Sequence, residues 1–157
     1  MIRKYGWIAG LLLLAAACRP EIKGELGPQY DLSKGLQGTW SLNAVEVEDR
    51  SFPTFTTQSF TDYFQQNAVS ISFQTESQTY TVTGPEKGHP FGKGGDFAFD
   101  DPQYPSQIIL YQDKDTATLQ LGNMVREIDP AMTLRDMKSA CGETYARYTY
   151  QFERVQN

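Results

Sequence analysis

Residues 69–83 read VSISFQTESQTYTVT, two short runs in which every second residue is apolar. Val69, Ile71 and Phe73 alternate with Ser70 and Ser72, and Tyr80 and Val82 alternate with Thr79, Thr81 and Thr83. Successive side chains of a strand point to opposite faces, so a period of two marks a strand. One apolar and one hydroxylated face mark a sheet with a core on one side and water on the other. The same period recurs downstream. Phe97 and Phe99 flank Ala98; Ala117, Leu119 and Leu121 alternate with Thr116, Thr118 and Gln120; Tyr148, Tyr150 and Phe152 alternate with Arg147, Thr149, Gln151 and Glu153. Turn formers stand between the runs: Gly84-Pro85, Lys93-Gly94-Gly95, Asp113-Lys114-Asp115, Gly122-Asn123 and Asp129-Pro130. From Trp40 onward this amounts to about eight or nine short strands, and the expected fold is all-β: an antiparallel up-and-down barrel with one short helix. The helix is expected after Ser59, which would cap it with Asp62 three residues on, leaving Phe60, Tyr63 and Phe64 on one face. At about two turns it cannot stand alone and should plug against the barrel.

The first 35 residues carry no strand pattern. Arg3 and Lys4, an apolar run from Trp7 to Leu14 and the small residues Ala15, Ala16 and Ala17 come in the order of a secretory signal peptide. The apolar stretch, about eleven residues, falls short of the roughly 20 that a membrane span needs. Cys18 stands directly after the small residues, and in this the segment resembles the lipobox of bacterial lipoproteins. The resemblance implies cleavage before Cys18, acylation of its thiol, and lasting attachment to a membrane, because two or three acyl chains hold where one gives only marginal binding. Arg19 rather than an aspartate behind that cysteine implies, by analogy with lipoprotein sorting, the outer membrane of a bacterial envelope. Pro20, Gly24, Gly27, Pro28 and Gly35 punctuate the stretch between that cysteine and the first strand. The expected plan is therefore a signal peptide over 1–17, a lipidated cysteine and flexible tether over 18–35, and a barrel domain over 36–157. A coil of the tether's length holds the domain about 20–25 Å from its anchor.

Cleavage would leave 140 of the 157 residues, enough for one domain with its own core. Losing Arg3 and Lys4 leaves 12 of the 14 basic residues against 19 acidic ones, a net charge near −7. Such a balance argues against nucleic acid and against electrostatic docking to anionic lipid, so the acyl anchor must do the membrane work. With Cys18 acylated, Cys141 has no partner for an intramolecular disulfide. Stability must come from packing, and 9 Phe and 9 Tyr supply the means.

Chemistry is sparse. His89, the single histidine, lies in a Gly/Pro-rich loop that offers a catalytic base neither fixed geometry nor an orienting partner, and is expected to be a solvent-exposed loop residue. No Gly-x-Ser-x-Gly elbow is present. Cys141 has Arg135 and Lys138 near in sequence but no resolving thiol, and is expected to be an inert loop residue. Asp113-Lys114-Asp115 begins like a calcium loop, but Ala117 and Thr118 stand where a ligand and the turn glycine belong, so a hairpin turn is expected. Asp96, Asp100 and Asp101 precede Pro102 and read as turn formers rather than as a cation site. Gly92-Lys93-Gly94-Gly95 lacks the strand–loop–helix setting of a phosphate loop and reads as a flexible hairpin tip. No catalytic, metal or cofactor site is expected, and the chain reads as non-enzymatic.

Gly38-Thr39-Trp40 opens the first strand and Arg154 closes the last. In a barrel with an even number of strands these points share one end. Alternation turns Arg154 to the side of Phe152, Tyr150 and Tyr148, where its guanidinium can stack on the indole of Trp40 as a structural floor. In this the chain resembles the lipocalins, whose Gly-x-Trp opening is covered by a late arginine. It resembles more closely a family of lipocalin-like lipoproteins of Bacteroidota with no assigned function, through LQGTWSLNAVEVED, FAFDDPQYPSQIIL and YTYQFERV, which together touch most of the chain after residue 36. The resemblance implies a lipocalin-type barrel and no activity. Two functions are then expected in turn. One is binding of a small apolar or amphipathic ligand, with Phe73, Tyr80, Phe97, Phe99, Tyr148 and Tyr150 as lining. The other is a protein-interaction module of the envelope acting through loops that carry Phe52, Pro53, Phe55, His89, Pro90, Phe91, Tyr104 and Pro105. An enclosed apolar cavity of roughly 300 Å³ or more speaks for the first, an exposed apolar patch on the loops for the second.

Overall fold

A computed structural model describes residues 32–51, 56–85, 87–102, 104–123 and 125–156. Cys18, the signal peptide and Phe52, Pro53 and Phe55 lie outside them. The two longest strands, β1 (Gly38–Asp49) and β9 (Glu143–Arg154), pair antiparallel from Trp40↔Arg154 to Asp49↔Ala146 and so join the start of the domain to its end. Between them run β2 (Thr56–Ser59), β3 (Ser70–Gln74), β4 (Thr79–Thr83), β5 (Gly94–Phe99), β6 (Gln107–Tyr111), β7 (Thr116–Leu121) and β8 (Ala131–Ala140). Every pairing is antiparallel, in the ring order β1-β3-β4-β5-β6-β7-β8-β9, closed by β1 on β9, with β2 added to β1. The fold is a closed eight-stranded up-and-down barrel with one extra strand and one short helix, as the period of two leads one to expect.

Strand direction gives the barrel two ends. The floor holds the start of β1, the end of β9 and the connections β3–β4, β5–β6 and β7–β8. The mouth holds the connections β4–β5, β6–β7 and β8–β9. The register of β1 against β9 slips by one residue between Leu42 and Ala44. An extra residue in one strand bends it and shifts its alternation. The buried side chains of β1 accordingly change from Trp40 and Leu42 to Val45. The bend also divides the other edge of β1. Gly38–Ser41 pair with β3, whereas Glu46–Asp49 pair with β2. The helix α1 (Thr61–Gln66) connects β2 to β3 along the bent strand, with the Phe60 N–H donating to Val45 O at 2.8 Å.

The helix and the tether both depart from expectation. Ser59 does not cap α1: it is the last residue of β2, the cap position is Phe60, and no side chain caps the helix. Ser59 Oγ instead donates to Thr61 Oγ1 at 3.0 Å. The three aromatics do share one side, all walling the same cleft, but only Phe64 is buried while Phe60 and Tyr63 stay exposed. Six residues make under two turns, so one anchor is all such a helix can seat, worth roughly 2–3 kcal/mol of burial. Residues 32–35, expected in the tether, belong to the fold. They form a 3-10 turn, Leu32–Leu36, in which Gly35 lies so close to the Val125 carbonyl that a Cβ would not fit.

The floor is tied together by one side chain. The Arg154 guanidinium carbon lies 4.2 Å from the centroid of the Trp40 ring. Its Nη1 donates to Gln37 O and its Nη2 to Gly35 O, each at 2.7 Å, while Nε reaches Asp129 O at 3.2 Å. The Trp40 indole, fully buried, donates from Nε1 to Leu36 O at 2.8 Å. Replacing Arg154 with Lys keeps the charge but loses the planar fork that serves four backbone carbonyls, the fourth being Arg126 O, 3.3 Å from Nη2. Arg154→Lys is expected to lower stability by about 2 kcal/mol, read from urea unfolding with an unchanged slope. A loss within a few tenths of a kcal/mol of zero would show that the fork is ornamental.

Candidate functional site

Most of the side chains expected to line a pocket fill the barrel instead. Phe73, Tyr80, Phe97 and Tyr150 are buried, with Phe99 and Tyr148 partly buried against them. Phe73 meets Phe97 edge-on at 5.2 Å between ring centroids and Tyr80 at 6.0 Å, and Phe97 meets Phe99 at 6.2 Å. Phe73, Tyr80 and Phe97 have almost no surface open to water, inside or out, so no guest has room beside them. Ile108, Leu110, Leu119, Met132 and Leu134 pack in the same core. Phe73, Tyr80, Phe97 and Phe99 therefore pack in the core, and none of the four lines either of the two clefts described next. Tyr148 and Tyr150 do face open space.

That space lies where β1 bends away from β3. An apolar cleft of about 340 Å³ is walled by Val45 and Val47 of β1, Phe60, Tyr63 and Phe64 around α1, Gly88 of the β4–β5 connection, and Tyr148 and Tyr150 of β9. Burial is the main cause that pushes the Tyr150 hydroxyl well above the usual phenol range, with the negative charge of Asp136 adding to it. Asp136 is the one buried charged residue among those described; it faces inward after Met132 and Leu134 and pairs with Lys138 Nζ at 2.9 Å. On the far side of the β4–β5 connection a polar cleft of about 540 Å³ is lined by His89, Gly92, Gln112, Asp115, Asp136 and Lys138, among others.

The β4–β5 connection contributes to the walls of both clefts and differs most from expectation. Phe91, assigned to the loop surface, is fully buried. Its ring meets Tyr150 at 5.0 Å and Phe152 at 5.6 Å, both near edge-on. Tyr80 Oη donates to Phe91 O at 3.0 Å, and Gln112 Nε2 donates to Pro90 O at 2.7 Å. Burial pushes the Tyr80 hydroxyl up to about 12. His89 is half-buried rather than solvent-exposed, stacked on Phe91 with ring centroids 5.2 Å apart. The Phe91 N–H donates to His89 Nδ1 at 3.4 Å, which puts the ring proton on Nε2, 2.7 Å from Pro85 O. Gly92 packs on Gln112 and Gly94 and Gly95 open β5, so this stretch is not a free hairpin tip. The sequence does carry a trace of this: Phe91 is a lone large apolar residue set between Gly88 and Gly92.

The remaining candidates serve the loops. Asp100 accepts hydrogen bonds from Ser106 N at 2.9 Å, Ser106 Oγ at 2.6 Å and Gln107 N at 2.9 Å, and the Ser106 hydroxyl above all holds its carboxyl down to about 2. Asp101 Oδ1 accepts from Tyr104 N at 3.0 Å. Asp113, Lys114 and Asp115 form the β6–β7 turn, closed by Gln112 N donating to Asp115 O at 2.9 Å. Cys141 is exposed in the β8–β9 turn at a φ of 52°. Tyr104 is 76 % exposed. No protein-family model matches the chain, and no curated protein matches it.

Burial holds the His89 imidazole below its usual 6.5, outweighing the Pro85 carbonyl contact that favours the charged form. A depressed pKa means that the unfolded chain takes up the proton first. Stability is full above about 6.5 and falls as pH drops below it toward the native value. The protonated ring also loses the Nδ1 acceptor that Phe91 N–H uses. With one histidine in the chain, no other ordinary side chain titrates in this window. The melting temperature is expected to fall between pH 7.5 and 5.5. The variant His89→Phe, which keeps a ring on Phe91, is expected to lose that slope; equal slopes in both proteins would refute this role.

Proposed function

We propose that this chain is a bacterial lipoprotein, held on the outer membrane by acyl chains on Cys18, whose lipocalin-like barrel binds one small apolar or amphipathic ligand and catalyses no reaction. The apolar cleft between α1, β1 and β9 carries the ligand-binding part. At about 340 Å³ it is the size of a small-molecule site. Its walls are aliphatic and aromatic, and the Tyr148 and Tyr150 hydroxyls supply the few polar groups that can orient a guest. Phe60 and Tyr63, 42 % and 49 % exposed, stand at its rim, where they lose water only when something covers them. The order of basic, apolar and small residues before Cys18 supports the anchor. The barrel, with Arg154 over Trp40, fits the family resemblance.

The protein-interaction reading rests on Phe52, Pro53 and Phe55, which lie outside the described residues, and on five further loop residues. Of the loop residues it relied on, Phe91 is buried and His89 and Pro90 are half-buried, which leaves Tyr104 as the large exposed side chain among those described. Single exposed apolar residues are ordinary on protein surfaces.

Two measurements test the proposal. Palmitate supplied to a bacterial host is expected to label the wild-type chain and to leave Cys18→Ser unlabelled; equal labelling removes the anchor. The detergent-extracted chain, incubated with an envelope lipid extract, is expected to carry one adduct of defined mass in native mass spectrometry. Tyr63→Ala is expected to weaken retention about 5–10-fold, the worth of one aromatic wall. A bare mass under conditions where a control lipocalin keeps its ligand would sink the ligand reading.

A further inference from the structure

Segment 87–92 places its only large apolar side chain inside the barrel, although connections between strands usually run over the surface. The Phe91 ring occupies the space between Tyr150 and Phe152. The segment also belongs to the walls of both clefts. Gly88 belongs to the wall of the apolar cleft, while His89, Pro90 and Gly92 belong to the wall of the polar one. Tyr150 borders the first cleft and Asp136 the second, yet the charge of Asp136 is felt at the Tyr150 hydroxyl. Both clefts thus take part of their wall from this one segment. Withdrawing Phe91 would vacate the space its ring fills beside Tyr150 and Phe152, next to a cleft bordered by Tyr150 and one bordered by the Asp136–Lys138 ion pair.

The segment has the parts of a movable element. Gly88 at a φ of 96° and Gly92 at 63° bracket the buried ring, both in the left-handed region that glycine enters freely. Two side chains of the barrel wall hold its backbone, Tyr80 on Phe91 O and Gln112 on Pro90 O. Hinges of this kind absorb the backbone change when a segment swings.

We propose, building on the ligand-binding reading above, that Phe91 is a built-in stopper standing in the deep subsite of the barrel. An amphipathic ligand with one ring-sized apolar end and a hydrogen-bonding head displaces segment 87–92. It sets the apolar end among Tyr80, Tyr150 and Phe152 and the head at Asp136 and Lys138. The closed segment then lowers apparent affinity by the fraction of molecules in which it is open.

The test uses 1-anilinonaphthalene-8-sulfonate, which has this shape, and the full chain. A Cβ built on Gly92 lies 3.2 Å from Gln112 Cγ, a spacing that a disulfide can bridge once both residues are cysteine. The pair Gly92→Cys and Gln112→Cys, placed in a Cys18→Ser, Cys141→Ser background, pins the segment shut when oxidised and frees it when reduced. One protein therefore serves as its own control. The chain with native 92 and 112 is expected to bind one probe. The pinned form is expected to bind at least about tenfold more weakly than the same protein reduced, and Phe91→Ala about tenfold or more tightly than the parent. If Phe91→Ala does not fold, the oxidised and reduced comparison decides alone. Equal affinity in the oxidised and reduced forms overturns the stopper while leaving the cleft reading intact. Absence of stoichiometric binding in every form overturns both.

Discussion

The stack of Arg154 on Trp40 is the contact on which the rest of the barrel depends, because it lies where the first strand meets the last. A sheet becomes a barrel only when its two edges find each other, and here those edges are 114 positions apart in sequence, Trp40 against Arg154. Closing so long a loop is costly in chain entropy, so the contact that closes it must be strong and specific. A planar cation on an indole face, with backbone carbonyls around its edge, meets both needs. The same guanidinium receives the 3-10 turn and the β7–β8 connection, through Gly35 O and Asp129 O. One side chain thus sets strand register and covers the floor.

The bulge in β1 decides the form of the opposite end, the mouth. Because β1 turns from β3 to β2 along its length, one side of the mouth is walled by α1 rather than by a continuous ladder. A six-residue helix covers less than a strand pair does. The uncovered difference is the apolar cleft beside Tyr148 and Tyr150. On the other side Asp136 occupies an inward position of β8 where alternation calls for an apolar residue. A buried carboxylate is costly unless paired, and Lys138 on the same strand pairs it. The mouth therefore has an apolar side and a charged side, with Phe91 between them.

Much of the fold was legible in the sequence because its strands carry clean alternation. β3, β4, β5, β7 and β9 each have one apolar and one polar face, and those faces survive in the structure as inside and outside. β8 was not legible in the same way: after Met132 and Leu134 its inward series continues with Asp136, and Arg135 and Lys138 obscure the period. Polar β2, with all four residues exposed, carries no burial signal at all. The site was less legible still. Its walls come from β1, α1, the β4–β5 connection and β9, and no local pattern relates Val47 to Tyr63 or Gly88 to Tyr150.

The sequence by itself determined the secondary structure class, the barrel topology and the meeting of Trp40 with Arg154, since side-chain period and strand parity are local properties that add up along the chain. Only the tertiary structure decided whether the inward aromatics form a pocket or a solid core. That depends on ring-to-ring distances across the barrel, which alternation leaves open. It also decided that Phe91 points in rather than out. A residue between two glycines can take either course, and the choice falls to whichever interior has room for a ring.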